Sequence, residues 1–352
     1  MASLNIRLKK SLSVLLAATM LVGTPVTVSA ETDGGEKEES SINQSLVVGV
    51  NRDDTYANYL GRHQDAAKPN DEILIEATDY TGMGEDANGV LPEIYIADYQ
   101  GEAKTMLWSN HGGTVEFEFD VAQTGLYNLE MLYYTIAGNN TVVEIALEID
   151  GKYPFSACKT LTLDRYWQDE SAILKDSRDN DIRPGQTEYD MWVTYPIKDK
   201  EGLFNEPYFF YLESGHHTLS ITGIKCNIAL KSMTFKNYPA VAQYSAPSQS
   251  ELDSTPAIAE ENFIGTHTIF IQAENNLYKT ASTLYATSDR TECMVSPSHP
   301  TKQRYNTVGQ ETWNKAPQAI TWEFNVPNDG WYTFSFKVRQ NQMRGFYANR
   351  RV

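Results

Sequence analysis

The sequence predicts an all-β protein organised as an antiparallel β-sandwich. From Asp71 to Tyr238, short alternations of apolar and polar residues are separated by glycine-containing turns, with no comparable helical periodicity. In VEFEFDV, the apolar residues of Val115–Val121 share one side of a strand and the acids share the other. Many short strands with almost no helix are typical of sandwiches.

The predicted elements follow one another in a simple order. DDTYANYLGRHQDAAKP has its tyrosines at helical spacing, which predicts a short helix with Asp53 and Asp54 as cap and Pro69 as stop. ILIEA then opens the first strand, and VEFEFDV and LYNLEMLYY form a hairpin around Gly125. VVEIALEIDG is a further strand ending in a hairpin turn at Asp150–Gly151. HTLSITGI and ALKSMTFKNY supply the last two strands.

An internal repeat indicates that the module occurs twice. TVEFEFDVAQTGLYNLEMLYY, which begins at Thr114, aligns without a gap with AITWEFNVPNDGWYTFSFKVR, which begins at Ala319. HTIFIQAEN likewise repeats ILIEATD and predicts a strand. The shared positions are Glu118/Glu323, Phe119/Phe324, Val121/Val326, Gly125/Gly330 and Tyr127/Tyr332.

The domain organisation follows from this repeat. We expect a complete module over residues 71–239, a Pro/Ser/Ala-rich linker over 240–265, and an incomplete second module over 266–352. A sandwich needs both sheets to bury its inner faces. The truncated copy should therefore leave apolar side chains open to water, namely those of Ile269, Ile271, Trp322, Phe324, Phe334 and Phe336.

The N-terminus predicts an export signal. RLKK supplies a positive region, SLSVLLAATMLVG an apolar core, and TVSA ends in a small residue at Ala30. We expect residues 1–30 to be a signal peptide and residues 31–70 to be a polar spacer with the short helix. The apolar run is shorter than the ~20 residues of a membrane span. The protein should therefore be secreted to the cell exterior.

Charge and cysteine content limit the partners and the chemistry. The formal net charge of −17 repels phosphate backbones, so nucleic acid is not an expected partner, whereas neutral sugars are compatible. The three cysteines are too few for a disulfide framework. Cys158 and Cys226 lie in one predicted module, where they either pair or remain buried free thiols. Cys293 lies in the second copy.

Several motifs carry a resemblance to a known family. The (I/V)-x-(I/V)-E/Q-A strand and the F-x-V-x-x-x-G-x-Y hairpin resemble galactose-binding-like carbohydrate-binding modules of secreted bacterial proteins, which are jelly-roll sandwiches. TYANYLGRHQDAAKP, IDGKYPF, LDRYW, NDIRPGQTE and EPYFFYLESGHHTLSI are similar to the N-terminal region of bacterial extracellular solute-binding proteins of ABC sugar-uptake systems. The resemblance spans Thr55 to Val352. It implies an oligo- or polysaccharide partner and, through a C-terminal domain beyond Val352, an ABC permease.

One long segment has the composition of a glycan site. LDRYWQDESAILKDSRDNDIRPGQTEYDMWVTYP combines aromatic rings, on which sugars stack, with polar groups that hydrogen-bond hydroxyls. The alternative is structural: Trp167 and Trp192 fill the core, and Arg183 fixes the loop through an ion pair. Both explanations are open, because long loops are either functional or internally packed. The candidate ligand-binding residues are Asp164, Arg165, Tyr166, Trp167, Asp181, Arg183 and Trp192.

The resemblance also raises the question of a structural calcium ion. In many sandwiches of this type, acids of the first strand meet an aspartate of the last strand around the metal. Glu76 matches the first acid, but Thr78 stands at the second position and Lys231 at that of the aspartate. The second copy keeps Glu274 but has Gln272. We therefore expect neither a metal nor another cofactor.

Catalytic motifs are missing from the sequence. It contains no GxSxG, HExxH or glycine-rich phosphate loop, and none of its six histidines lies beside a nucleophile pattern. We expect a non-catalytic, exported carbohydrate-binding protein. Two alternatives are a structural spacer without ligand and an accessory binding module of a secreted glycoside hydrolase.

Overall fold

The computed structural model describes most of the chain. The described residues are 4–8, 14–21, 54–137, 142–239, 244–253, 268–291, 294–327, 329–340 and 349–352. The predicted cleavage position after Ala30 and Cys293 lie outside them. Contacts divide the chain into a first unit, Gly23–Leu163 with Met191–Tyr238, and a second unit, Met1–Val22 with Asp164–Asp190 and Pro239–Val352. The predicted module 71–239 thus contributes Asp164–Asp190 to the second unit.

The first unit is an antiparallel β-sandwich, which confirms the predicted fold class. Its five-stranded sheet has the order Leu161–Leu163, Val143–Ile149, Gly215–Lys225, Thr114–Val121, Tyr80–Gly84. Its seven-stranded sheet has the order Trp192–Pro196, Gly125–Thr135, Ile228–Lys236, Glu102–Trp108, Ile94–Tyr99, with Phe209–Leu212 paired to Gly125–Thr135 and Ile73–Glu76 to Ile228–Lys236. Short 3₁₀ turns occupy Ala77–Asp79 and Ser156–Lys159.

The core of this unit lies between the two sheets. In Thr114–Val121, Val115 and Phe117 are fully buried while Glu116 and Glu118 are exposed, as the alternation predicts. Burying each large apolar side chain stabilises the fold by roughly 1.5–3 kcal/mol. The predicted turn also forms, since Asp150 and Gly151 have φ values of 52° and 68°, as a two-residue hairpin loop requires.

The repeated motif is a crossing between sheets rather than the predicted hairpin. Thr114–Val121 belongs to the five-stranded sheet and Gly125–Thr135 to the seven-stranded sheet, so the two strands do not pair. A Cβ at Gly125 would lie 2.4 Å from Cδ of Pro69, which explains the glycine. The Tyr127 hydroxyl donates to the Gln123 carbonyl at 2.7 Å. Gly125 therefore leaves the space that Pro69 occupies at the crossing, and the Tyr127 hydrogen bond fixes the chain there.

The predicted short helix runs from Tyr56 to Arg62. Its cap is Thr55, whose hydroxyl accepts from the Asn58 N–H at 3.3 Å, so the predicted cap at Asp53 and Asp54 is wrong. Thr55 directly precedes the first helical residue, which is where a capping side chain reaches the first turn. The helix ends at Arg62, before Pro69. Among the described residues, neither helix combines the length and apolar composition that crossing a membrane requires.

Cys158 and Cys226 are both buried and form no disulfide with each other, so of the two predicted alternatives the disulfide is not observed. Burial raises the pKa of the Cys158 thiol well above its usual range. A buried thiol of this kind packs as a small apolar group and is chemically inert.

The second unit is also built from strands. The largest sheet has the order Gln186–Glu188, Trp167–Asp169, Tyr278–Lys279, Ala319–Phe324, Val14–Leu21, Asn349–Arg351. Leu4–Leu8 pairs with Gly330–Phe334, Leu174–Lys175 with Asp181–Ile182, and Ala286–Thr287 with Thr307–Val308. A 3₁₀ turn covers Gln310–Thr312 and a helix Gln249–Asp253. Leu4–Leu8 and Val14–Leu21 lie within the predicted signal peptide, whose removal stays a prediction.

The strand predicted for HTIFIQAEN does not form. Residues 268–272 belong to no strand, and a turn follows in which the Asn275 N–H donates to the Gln272 carbonyl at 3.0 Å. The counterpart in the first unit, Ile73–Glu76, is a strand because it pairs with Ile228–Lys236. The described part of the second copy offers no equivalent of that last strand.

The apolar side chains of the second copy are mostly covered, against expectation. Trp322 and Phe324 are each 8% exposed and pack with Leu284, Ile320 and Val326. The strand that carries them has a paired neighbour on each edge, Tyr278–Lys279 and Val14–Leu21. Partly buried residues against this cluster include Ile269, Ile271 and Phe334. Phe336 is 44% exposed, as expected.

Candidate functional site

The segment Asp164–Asp190, predicted as a glycan loop, is a structural part of the second unit. Its strands Trp167–Asp169 and Gln186–Glu188 pair with each other, and Trp167 pairs with Lys279 of the neighbouring strand. The segment therefore extends the sheet that contains Ala319–Phe324.

A buried ion pair fixes this segment. Nζ of Lys279 lies 2.6 Å from Oδ1 of Asp169, and the lysine side chain is fully buried. Nε2 of Gln186 donates to the same oxygen at 2.7 Å. Burial lowers the pKa of Lys279, an effect that the Asp169 carboxylate opposes. Removing one partner of such a pair destabilises the fold strongly, because it leaves an uncompensated buried charge.

Arg304 joins the same segment to the second copy. Its guanidinium contacts Oδ2 of Asp179 at 2.6 Å and Oδ1 of Asp181 at 3.3 Å. The remaining Asp181 oxygen accepts from the Tyr305 N–H at 2.9 Å. Hydrogen bonds from Lys175 and Arg304 hold the pKa of the exposed Asp179 carboxyl at about 2.

Arg183 is held by aromatic rings instead of the ion pair considered from the sequence. Its Cζ lies 4.1 Å from the centroid of the Tyr285 ring and 5.4 Å from that of Tyr305. Nε donates to the Ala286 carbonyl at 3.2 Å. A guanidinium over a ring gains electrostatic attraction from the π-system, most strongly where water is excluded.

Three further candidate residues, Arg165, Tyr166 and Trp192, are also engaged by protein groups, whereas Oδ2 of Asp164 is buried without a hydrogen-bond partner among the described residues. Arg165 forms an ion pair with Glu188 at 2.7 Å in which both side chains are buried. Tyr166 packs edge-on against Tyr278, and burial raises its pKa. Trp192 lies in the first unit, where Nε1 donates to the Gln100 carbonyl at 3.1 Å. Glycan binding by the predicted set stays a prediction, and Trp192 belongs to a different unit from the other six residues.

The position considered for calcium in the first unit holds a cation of the protein. Nζ of Lys231 lies 3.7 Å from Oε2 of Glu76 and donates to the Ala103 carbonyl at 2.9 Å. The ammonium thus stands beside the one acid that matches the metal pattern, and its charge repels a metal cation there.

A cleft of about 300 Å³ in the second unit brings polar side chains of several kinds together; we call it the Glu274 cleft. It combines two carboxyl groups, two cations, two amides and an aromatic ring. These belong to Asp181 and Glu274, Lys175 and Arg304, Gln272 and Asn275, and Tyr305.

Glu274 is the most unusual residue of this cleft. Its side chain is 3% exposed, and Oε2 has no hydrogen-bond partner among the described residues. Burial raises the pKa of the carboxyl, and the nearby charge of Asp181 raises it further. A buried polar atom without a partner costs free energy, so such atoms are rare unless a ligand or water satisfies them.

The turn at Ala273–Asn275 explains why sequence patterns missed this site. In a strand, successive residues face opposite sides of the sheet, so Glu274 and Asn275 would not share a face. The strand prediction gave Glu274 only a possible metal role. The observed turn instead places Gln272, Glu274 and Asn275 on one cleft with Asp181. Of the predicted ligand-binding residues, Asp181 alone lines it.

No protein-family model and no curated protein matches this chain. Solved structures resemble part of its fold. The C-terminal CBM6 of the laminarinase LamC from Zobellia galactanivorans is 8% identical, with 47% of this chain and 100% of that one covered at a TM-score of 0.29. A family 35 carbohydrate-binding module from Clostridium thermocellum is 13% identical, with 48% and 99% covered at 0.26. The GH26-CBM35 β-(1,4)-mannanase of Podospora anserina is 13% identical, with a TM-score of 0.27. The match spans 50% of this chain and 29% of the mannanase.

Proposed function

We propose that the protein is an exported, non-catalytic carbohydrate-binding protein and that the Glu274 cleft is its binding site. The observation that carries the proposal is the buried Glu274 carboxyl, whose Oε2 lacks a partner among the described residues. A sugar hydroxyl is a suitable partner, since it both donates and accepts hydrogen bonds.

The rest of the lining supports the same ligand class. The amides of Gln272 and Asn275 each offer donors and an acceptor, and Arg304 adds further donors. The ring of Tyr305 provides an apolar surface for the C–H face of a sugar. The volume, about 300 Å³, lies at the lower end of small-molecule sites, which suits a short saccharide.

Two biological settings use such a binding function. The protein is either part of a solute-binding protein for ABC sugar uptake, as the narrower sequence resemblance implies, or an accessory module beside a secreted glycoside hydrolase. Sequencing the DNA beyond the Val352 codon discriminates between them, since a solute-binding domain supports uptake and a catalytic domain supports the hydrolase.

Calorimetric titration of the full chain with a panel of neutral oligosaccharides tests the binding proposal. We expect at least one to bind and Glu274→Gln to weaken it by about 10-fold to 100-fold, because a hydrogen bond to a charged group contributes roughly 1.5–3 kcal/mol. Glu323→Gln, the same change at an exposed position of the same unit, is the matched control.

Absence of binding across the whole panel would favour the alternative of a structural spacer. Equal effects of Glu274→Gln and Glu323→Gln would place the binding site elsewhere. If Glu274→Gln leaves the melting temperature unchanged, the loss of affinity does not result from unfolding.

A further inference from the structure

A second cleft of about 220 Å³ shares Arg304 with the Glu274 cleft. We call it the His299 cleft. Besides Arg304, its lining includes the cations Arg290 and Lys302 and the hydroxyl of Ser298. The two clefts therefore adjoin at Arg304, and their linings differ in chemistry.

The walls of the His299 cleft are fixed by one buried amide. Nδ2 of Asn306 donates to the carbonyls of Asp289 at 3.0 Å and Pro297 at 2.8 Å. Its Oδ1 accepts from the Asp289 N–H at 2.8 Å. Because a single side chain bonds both walls, the cleft is formed before any ligand arrives, which reduces the entropic cost of binding.

The charges that line the cleft are predominantly positive, although the whole chain carries −17. Its one carboxylate, Asp289, forms an ion pair with Arg339 and accepts from Thr291, and these contacts lower its pKa. Nζ of Lys302 donates to the neutral Arg178 carbonyl, and its charge also acts on the Asp176 carboxylate, which is not part of the cleft lining. The field inside the cleft therefore favours an anion.

His299 contributes a further donor. Its Nδ1 accepts from the backbone N–H groups of Thr301 at 3.1 Å and Lys302 at 3.0 Å. The neutral ring consequently carries its hydrogen on Nε2. The lining thus offers guanidinium, ammonium, imidazole and hydroxyl donors, a set that matches the acceptor oxygens of an oxyanion.

From this arrangement we propose that the His299 cleft binds an anionic substituent, a carboxylate or a sulfate ester, of the saccharide held in the Glu274 cleft. This inference rests on the proposed function. Arg304 belongs to both sites and already contacts two carboxylates, so Arg290 and Lys302 carry the preference for an anion.

Affinity electrophoresis of the full chain in gels with dextran, carboxymethyl-dextran or dextran sulfate tests the proposal, since the three polymers share one backbone. We expect at least tenfold tighter apparent binding of an anionic derivative than of dextran, and competition by inorganic sulfate. Arg290→Gln/Lys302→Gln should abolish this preference. Lys315→Gln/Lys337→Gln, which removes two exposed cations outside both clefts, should preserve it.

The two anionic polymers separate the possible ligands. If only carboxymethyl-dextran binds more tightly than dextran, the anionic substituent is a carboxylate. If only dextran sulfate does, the substituent is a sulfate ester. Equal mobility shifts in all three gels, or equal effects of the two double variants, would overturn the inference. Neutral oligosaccharide binding that depends on Glu274 would then still support the proposed function, so the two failures are distinguishable.

Discussion

The Tyr59 hydroxyl accepts a hydrogen bond from the backbone N–H of Tyr211 at 2.7 Å. One helical turn earlier, the Tyr56 hydroxyl accepts from the Phe209 N–H at 2.9 Å. Among the described residues, the strand Phe209–Leu212 pairs only with Gly125–Thr135, along one of its edges. The helix therefore provides, through two tyrosines, the hydrogen-bond acceptors that a neighbouring strand would otherwise supply, and it protects the sheet edge from pairing with another chain.

Replacing Tyr59 by Phe should destabilise the first unit by about 1–3 kcal/mol, because the Tyr211 N–H loses its partner while the aromatic packing is kept. Chemical unfolding of the full chain measures the change. Tyr95→Phe, which removes a hydroxyl from an exposed side chain, should change the free energy of unfolding by less than about 0.5 kcal/mol. Equal effects would contradict the role of the Tyr59 hydroxyl.

Replacing Lys279 by Met should destabilise the second unit by about 3–5 kcal/mol, because Asp169 becomes a buried charge that only Gln186 compensates. Lys279→Met/Asp169→Leu should recover most of that loss, since an apolar pair can replace a buried ion pair. Thermal unfolding measures both. A double variant as unstable as the single one would show that the pair acts through more than its charge.

Lys175→Met is the control for the same measurement. Lys175 pairs with Asp179 at 3.0 Å, but both side chains are more than half exposed. Surface pairs of this kind contribute about 0–1 kcal/mol, so the melting temperature should hardly change.

Local patterns in the sequence were sufficient for individual strands and for one turn of the first unit. The alternation in Val115–Val121 depends only on which face of a strand is buried, and Asp150–Gly151 only on the left-handed backbone of a tight turn. The repeat aligned Gly125 with Gly330, yet it could not show that the strands before and after Gly125 belong to opposite sheets. Sheet membership is set by partners far away in the chain, which a strand's own periodicity does not encode.

For the same reason, local sequence patterns did not predict most residues of the candidate site. Trp167 pairs with Lys279, although the last strands of the first unit lie between these two residues in the sequence. The composition of the segment suggested a free glycan loop, whereas its cations bind carboxylates and rings of the protein. Glu274 reaches its cleft only because the expected strand lacks a neighbour and becomes a turn. Asp181, chosen from composition, is the residue common to the prediction and the cleft.

Stability should depend on pH through His217. Its Nδ1 lies 2.8 Å from Oδ2 of Asp150 and its Nε2 2.8 Å from the Glu213 carbonyl, so two acceptors face a ring that has two N–H groups only when charged. Burial disfavours the charge, but these hydrogen bonds outweigh it and raise the pKa of His217. The stabilisation is therefore complete below the unfolded pKa, about 6.5, and is lost as the pH rises through the folded value.

Measuring unfolding from pH 5 to pH 9 for the wild type, His217→Gln and Asp150→Asn checks this dependence. The wild type should lose stability relative to His217→Gln as the pH rises past about 6.5, and Asp150→Asn should reduce that loss. Burial acts to raise the pKa of Asp150 itself, but hydrogen bonds from Thr218 and His217 lower it overall. Its stabilising contribution should therefore persist across this range, because it is lost only as the pH falls below the unfolded value of about 3.9. Parallel curves for the wild type and His217→Gln would contradict the prediction.

The segment Asp164–Asp190 should depend on the second copy for its structure. In the full chain, Arg165 is buried in its pair with Glu188, and Asp181 is bound by Arg304 and Tyr305. A fragment of residues 54–239 keeps the helix Tyr56–Arg62 and the sandwich of the first unit but removes Lys279, Arg304 and the sheet beside Trp167. We expect trypsin to cleave after Arg165 rapidly in the fragment and slowly in the full chain, because cleavage requires local unfolding.

Mass spectrometry of the early digestion products measures this difference. Cleavage after exposed Arg62 should be similar in both proteins and serves as the internal control. In the full chain, Lys279→Met should move the rate at Arg165 towards that of the fragment, because it removes the buried contact to Asp169 without shortening the chain. Equal protection of Arg165 in the fragment and the full chain would mean that the segment folds on the first unit alone, and the pairing of Trp167 with Lys279 would then be dispensable.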